Sequence, residues 1–168
     1  MNNERPEHAA ISRFRHALTL AGGTGRIVVL PDSVHTAPLA AQALGCEVGA
    51  IANSLLFDCG DAPVLILTSG SHRVETAFVA AELGLPPLLR AKPDFVKTHT
   101  GQVIGGVSPL NHPHPVPTYL DVALRRYPEI WAAAGHPAAV FSTTYDELLG
   151  MTGATEIRVE ESQPKPEG

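Results

Sequence analysis

The chain has 168 residues, 44% of them hydrophobic and 17% charged, with a formal net charge of −5. That length suits a single domain with its own core, and the composition excludes a disordered or collagen-like chain. The acidic balance excludes a protein that coats nucleic acid by charge alone, and no apolar run is long enough to cross a bilayer.

Cys46 and Cys59 are too few for a disulfide framework, and the polar start from Met1 to His8 does not read as a secretory signal. The expectation is a cytoplasmic protein with reduced thiols and neither a membrane nor a DNA partner. Residues 1–160 are expected to form the domain and 161–168 a flexible polar tail.

Ile11, Phe14, Leu18 and Ala21 recur at helical spacing, so a helix is predicted from Ala9 to Ala21, ended by Gly22-Gly23. Ile27–Leu30 reads as a buried strand. Gly22-Gly23-Thr24-Gly25 precedes that strand and lacks a Gly-Lys-Ser/Thr ending, so it is not a phosphate loop. Thr36 is a predicted N-cap for a helix through Leu44, closed by Gly45.

Ile51–Phe57 and Val64–Thr68 are predicted strands of a hairpin about the polar turn from Asp58 to Pro63. An Ala-rich helix is predicted from Val74 to Leu83, closed by Gly84. Pro93 opens a further short helix after Lys92. Val116–Leu120 is predicted as an edge strand or strand start because of Pro117, with Asp121 capping a helix through Arg126. Glu129–Ala133 and Ala138–Ser142 make a second hairpin around Gly135-His136-Pro137. Thr143 or Thr144 caps a helix to Leu149, and Ile157–Val159 is a last strand. Hairpins with interspersed helices predict an α+β class: a mixed, partly closed sheet or barrel with flanking helices.

Between these elements runs Thr100 to His112, with three glycines, a Ser-Pro step and no acidic or basic side chain before the final histidine. It reads either as a glycine-rich hairpin or as a pocket lined by backbone N–H donors, since glycine permits close approach of a ligand. His112-Pro113-His114 resembles a two-ligand metal step, but the helical spacing of a zinc hydrolase is missing and no metal or other cofactor is expected. Neither cysteine stands in an activating context, and Ser69-Gly70-Ser71 lacks the Gly-x-Ser-x-Gly elbow of a serine hydrolase. What remains is a pocket of main-chain and small polar groups: Asn53-Ser54, Ser69-Gly70, Gly105 to Pro109 and Gly135-His136. Such a pocket suits hydrolysis of an activated ester, with donors aimed at the developing oxyanion.

Thr36-Ala37, Ile51 to Phe57, Ser69-Gly70, Thr100 to Leu110, Pro117 to Asp121 and Ala134-Gly135-His136-Pro137, in this order, resemble the YbaK/ProX/EbsC family of aminoacyl-tRNA editing domains. The resemblance covers about Pro31 to Val159. It implies a metal-free aminoacyl-tRNA deacylase acting in trans on a small wrong amino acid, such as alanine or cysteine on the proline tRNA. It implies Asn53, Gly105 and His136 as the residues at the chemistry. Ser54, Ser69, Gly70, Gly101, Gly106, Val107, Ser108, Pro109 and Gly135 are implied as substrate-binding. The implied partners are the tRNA acceptor end and a prolyl-tRNA synthetase or elongation factor, and the 2′-hydroxyl of the terminal adenosine is implied to assist the attacking water. Most members carry lysine at the position of Asn53, in a Lys-Ser/Thr-Leu pattern. Asn53 keeps a donor and loses the charge, which leaves Lys97 as a spatial substitute, or a binding module without catalysis as the alternative.

Overall fold

The computed structural model describes residues 6–165. Five helices surround one eight-stranded mixed sheet of order β1-β7-β6-β2-β3-β5-β8, with β4 also on β2. The strands are β1 (Ile27–Val29), β2 (Ile51–Cys59), β3 (Ala62–Ser69), β4 (Leu88–Arg90), β5 (Thr118–Asp121), β6 (Ile130–Ala133), β7 (Ala139–Thr143) and β8 (Thr155–Ile157). The helices are α1 (Ala9–Leu20), α2 (Ala37–Leu44), α3 (Thr76–Leu83), α4 (Pro93–Thr100) and α5 (Tyr145–Thr152).

The β2–β3 hairpin is the spine. Its turn is only Gly60-Asp61, both at positive φ, so the strands run further than the polar sequence of the turn suggests, to Cys59 and from Ala62. This is the twist-matched two-residue turn of antiparallel strands. Along β3 the side chains alternate between two cores: Leu65 and Leu67 join Phe14, Leu120 and Phe141, while Val64 and Ile66 join Val79, Leu88 and Val159. Both faces are covered, which is why the strand reads as an unbroken apolar run. Phe14 of α1 is fully buried against Phe141, ring centroids 4.8 Å apart. A side chain so placed contributes about 1.5–3 kcal/mol.

Helix ends follow the sequence signals. Thr36 and Thr144 accept hydrogen bonds from Leu39 N–H and Glu147 N–H at the starts of α2 and α5, and Gly45, Gly84 and Gly101 close α2, α3 and α4 in the left-handed conformation. Asp121 caps a 3-10 turn, Val122–Arg126, where a helix is predicted.

The structure departs from the expected elements at β1, at the last strand and at the start of the tail, and it adds β4. β1 is half exposed and not buried, because it is the last strand of the sheet, with β7 as its one strand neighbour. Of the two alternatives for Pro117 the strand start holds and the edge does not: it falls one residue before β5, which lies between β3 and β8, so its missing N–H removes no ladder bond. The last strand is Thr155–Ile157, not Ile157–Val159, and β4 is absent from the predicted elements. The tail is anchored at its start: Gln163 Oε1 accepts from Val159 N–H and Glu160 N–H, and its Nε2 donates to Asp121 Oδ1. Residues 1–5 and 166–168, which include most of the polar start and the end of the tail, lie outside the described residues.

Candidate active site in a gap of the sheet

Strand β2 carries β3 along its full length on one side, but two short strands share its other side. β6 pairs with Ile51 and Ala52, and β4 with Phe57 to Cys59. Asn53 to Leu56 have no strand partner there. The direction of their main-chain groups follows from the ladder, because antiparallel residues alternate between hydrogen-bonded and non-bonded pairs. Gly70 N–H donates to Ile51 C=O at 2.7 Å, which fixes the alternation: Asn53 and Leu55 bond toward β3, and Ser54 and Leu56 present N–H and C=O to the gap.

The gap opens into a cavity of about 620 Å³ whose lining includes Asn53, Ser54, Arg90, Gly105, Val107 and Trp131. That volume lies within the range of small-molecule sites. Ser54 Oγ is buried there without a hydrogen-bond partner. An unpaired buried hydroxyl costs about 1–3 kcal/mol, and at the cavity wall it is open to pair with whatever occupies the cavity. His35 and Thr36, at the start of α2, also line the cavity.

The segment from Thr100 to His112 is a wall and not a hairpin. Gly106 N–H donates to Val103 C=O in a tight turn, with Gly105 at φ +86. The Gln102 side chain stitches the segment together, accepting from Ser108 N–H and donating to the carbonyls of Leu110 and Asn111. Ser108 Oγ donates to Leu110 C=O, and His112 Nε2–H donates to Ser108 C=O at 2.8 Å. Burial holds the His112 imidazole below its ordinary pKa, which favours this neutral donor form. Ser108 and Pro109 are buried beneath the wall, and Ile104, Gly105 and Val107 of the segment reach the cavity.

Gly106 joins this wall to the Gly-His-Pro turn. A Cβ there would lie 2.7 Å from Pro137 N and 2.8 Å from His136 C. Beyond Pro137 lies a second cavity, of about 550 Å³, and it is this one that Gly101, Gly135 and His136 line. His136 is therefore one wall away from Asn53, with Pro137 bordering both cavities. His136 Nδ1 accepts from Ala138 N–H, which fixes the neutral ring as the Nε2–H tautomer.

Ser69 and Gly70 border neither cavity. Ser69 Oγ donates to Gly49 C=O at 2.7 Å, its N–H donates to the buried Asp121, and a Cβ on Gly70 would meet the Val48 carbonyl. Their smallness closes the junction of β3 with the segment before β2. Lys97 stands in the second cavity, its Nζ donating to Gly101 C=O. The cation in the first cavity is Arg90, at the end of β4, which sequence reasoning missed. Its signal was the three-residue apolar-to-basic step between Pro86-Pro87 and Lys92-Pro93, too short for periodicity to register.

Among the described residues no three His, Cys, Asp or Glu side chains gather at metal-binding distance, and no helix is long and apolar enough to cross a membrane. The family model for the aminoacyl-tRNA editing domain matches residues 31–151, which contain β2, the glycine wall and the Gly-His-Pro turn. The uncharacterized protein YwhH of Bacillus subtilis (strain 168) is 32% identical over 114 residues, 67% of this chain and 72% of that one. A solved structure of a proposed trans-editing enzyme for prolyl tRNA synthetase superposes with a TM-score of 0.87 at 42% identity, over 94% of this chain and 100% of the other. A scaffold protein from computational grafting of linear epitopes gives a TM-score of 0.86 at 40% identity, over 93% and 100%. With the family model spanning most of the sheet and both walls of the gap, this chain belongs to the aminoacyl-tRNA editing domain family.

Proposed function

We propose that the protein is a deacylase acting in trans, hydrolysing the ester of a small wrong amino acid, alanine or cysteine, on tRNA, with the proline tRNA as its substrate. The single observation that carries this reading is the open edge of β2. It supplies neutral main-chain donors beside the unpartnered Ser54 hydroxyl in a mostly apolar cavity.

In this reading the ester lies along the edge, and the Ser54 N–H donates to its carbonyl oxygen as it becomes an oxyanion. Water adds to the carbonyl carbon, and the carbon–oxygen bond to the ribose breaks. The ribose oxygen leaves as a hydroxyl carrying a proton that the water gives up, and the amino acid leaves as the free acid. The adjacent 2′-hydroxyl assists the water. An activated ester needs donors and a held water more than a strong base, so Asn53 in place of lysine serves by orienting the ester while Arg90 supplies the charge for a phosphate. Trp131, Val107 and Ala132 bound the cavity and admit a small side chain. Such a sieve is needed because one methylene separates competing substrates by only about 1–3 kcal/mol at a synthetic site. The choice of the proline tRNA is supported by the 42% identical relative proposed to act in trans for prolyl tRNA synthetase.

The test is a deacylation panel of proline tRNA charged with alanine, cysteine, serine, threonine or proline. The expected result is hydrolysis of a small non-cognate ester at least ten-fold above buffer, with the prolyl ester spared. No acceleration for any ester, with RNA binding retained, overturns the enzyme and leaves a binding module.

A further inference from the structure

The second cavity is chemically unlike the first. Arg13 of α1, Lys97 of α4, His8 and His136 line it, and among the described residues no carboxylate does, in a chain whose net charge is −5. Among the described residues neither Arg13 nor Lys97 is in an ion pair.

The two imidazoles are held alike. His8 Nδ1 accepts from Ala10 N–H at 3.0 Å and His136 Nδ1 accepts from Ala138 N–H at 3.0 Å. Each bond fixes the neutral ring with its proton on Nε2, so both rings keep a donor and neither keeps an acceptor. The rings pack against each other, centroids 4.6 Å apart, so the donors share one site. His112 borders the same cavity but commits its Nε2–H to Ser108 C=O. Two cations and two fixed N–H donors, with no acidic side chain, make a site for an anion with several oxygens.

Position decides which anion. The cavities share Pro137, and the glycine wall lies between them, with Ile104 and Gly105 on one side and Val103 on the other. A chain whose 3′-terminal ester enters the first cavity has to pass over this wall or turn away from the protein. We propose that the second cavity holds a backbone phosphate of the tRNA acceptor strand, upstream of the terminal adenosine, with Arg13 and Lys97 as phosphate contacts and the Nε2–H groups of His8 and His136 as donors. This rests on the deacylase reading for its substrate but not for its test. His136 then positions the strand and does not touch the ester.

The test measures binding of a fluorescent, uncharged acceptor-stem minihelix ending in CCA, by anisotropy at several salt concentrations. Wild type is compared with Arg13→Gln/Lys97→Gln and with Arg73→Gln/Arg126→Gln, which removes the same charge from exposed positions outside both cavities. The cavity pair weakens binding about ten-fold at low salt and lowers the salt slope by about 0.7 for each phosphate no longer neutralised, while the control pair stays within about two-fold. Equal losses in the two pairs, an unchanged cavity pair, or no binding by wild type overturns the proposal. Minihelix binding that depends on Arg13 and Lys97, in a protein that hydrolyses no ester, supports the phosphate site while sinking the deacylase. Ester hydrolysis with a cavity pair that binds like wild type does the reverse.

Discussion

Asp121 is completely buried and accepts from five donors: Ser69 N–H, Thr68 Oγ1, His72 Nδ1, Ala123 N–H and Gln163 Nε2, at 2.9–3.3 Å. Together they pin the end of β3, the 3-10 turn after β5 and the start of the C-terminal segment to one carboxyl group. Asp121→Asn keeps the shape but puts an NH2 where an oxygen stood. Whichever way the amide turns, it meets donors: Ser69 N–H, Thr68 and His72 on one side, Ala123 N–H and the Gln163 amide on the other. At least one main-chain or amide N–H loses its acceptor, at about 1–3 kcal/mol, and the surviving bonds lose the charge assistance that makes them stronger than neutral ones. The expected destabilisation is about 3–5 kcal/mol, comparable to breaking a buried ionic contact. For a chain of this size it lowers Tm by about 6–20 °C in a thermal melt followed by circular dichroism. Ester hydrolysis per folded molecule, measured well below the new Tm, is unchanged, because the network borders neither cavity. A loss below about 1 kcal/mol would refute the account of the network, and an activity loss in the folded fraction would return Ser69 and its neighbours to the substrate site.

Ser54→Ala removes a buried hydroxyl that has no partner within the fold, so thermal stability is unchanged or raised while kcat/KM for the ester falls about ten-fold; a fall in both together counts against the cavity as a ligand site. Gly106→Ala forces a methyl into the Pro137 backbone and costs about 1–3 kcal/mol by urea unfolding, whereas Gly105→Ala, at φ +86 with nothing within 4 Å, suffers from its backbone conformation alone, about 1 kcal/mol. Equal losses at the two glycines would remove the close-approach argument. Burial lowers the His112 pKa in the fold, so below the ordinary imidazole value of about 6.5 the unfolded chain takes up the proton first and stability falls with pH, while above it the contribution is constant. Melts between pH 7 and 5 should fall less steeply for His112→Gln; parallel curves contradict the assignment.

How far each feature was legible depends on the range of the interaction that makes it. The helix stops at Gly45 and Gly84, the caps at Thr36 and Thr144, and the two hairpins are decided within a few residues, and the sequence signals found them. Strand β4 is three residues between prolines and is held by β2, some thirty positions earlier, so no local pattern marks it. The role of Ser69 was hidden for a related reason. Its position after a strand suits a binding turn, but its partners, Gly49 and Asp121, are brought to it by the sheet. The glycine-rich block looked like the source of main-chain donors, yet its Gly106 and Ser108 N–H groups are bonded to Val103 and Gln102 within the block itself.

The donors come instead from a place where the sheet fails to close. An unpaired strand edge inside a protein normally costs stability or recruits another chain, and folds cover it. Here β6 leaves β2 after Ala52, and the chain turns at Gly135 to return as β7, while β4 joins only at Phe57. The glycine wall and α2 line the opening without filling it, so two residues of β2 keep their main-chain groups turned toward the cavity. The main-chain donors of the gap are neutral, so an asparagine can stand beside them without a charged side chain at position 53. In the proposed reading neutral main-chain donors meet the ester, where charge develops only during reaction, and the cations, Arg90 at this cavity and Arg13 and Lys97 one wall away, meet phosphates, which carry charge permanently. A lysine at position 53 would mix the two. Asn53→Lys should therefore tighten minihelix binding at low salt more than it raises kcat, and a rise in kcat without tighter binding would show that the charge belongs at the ester after all.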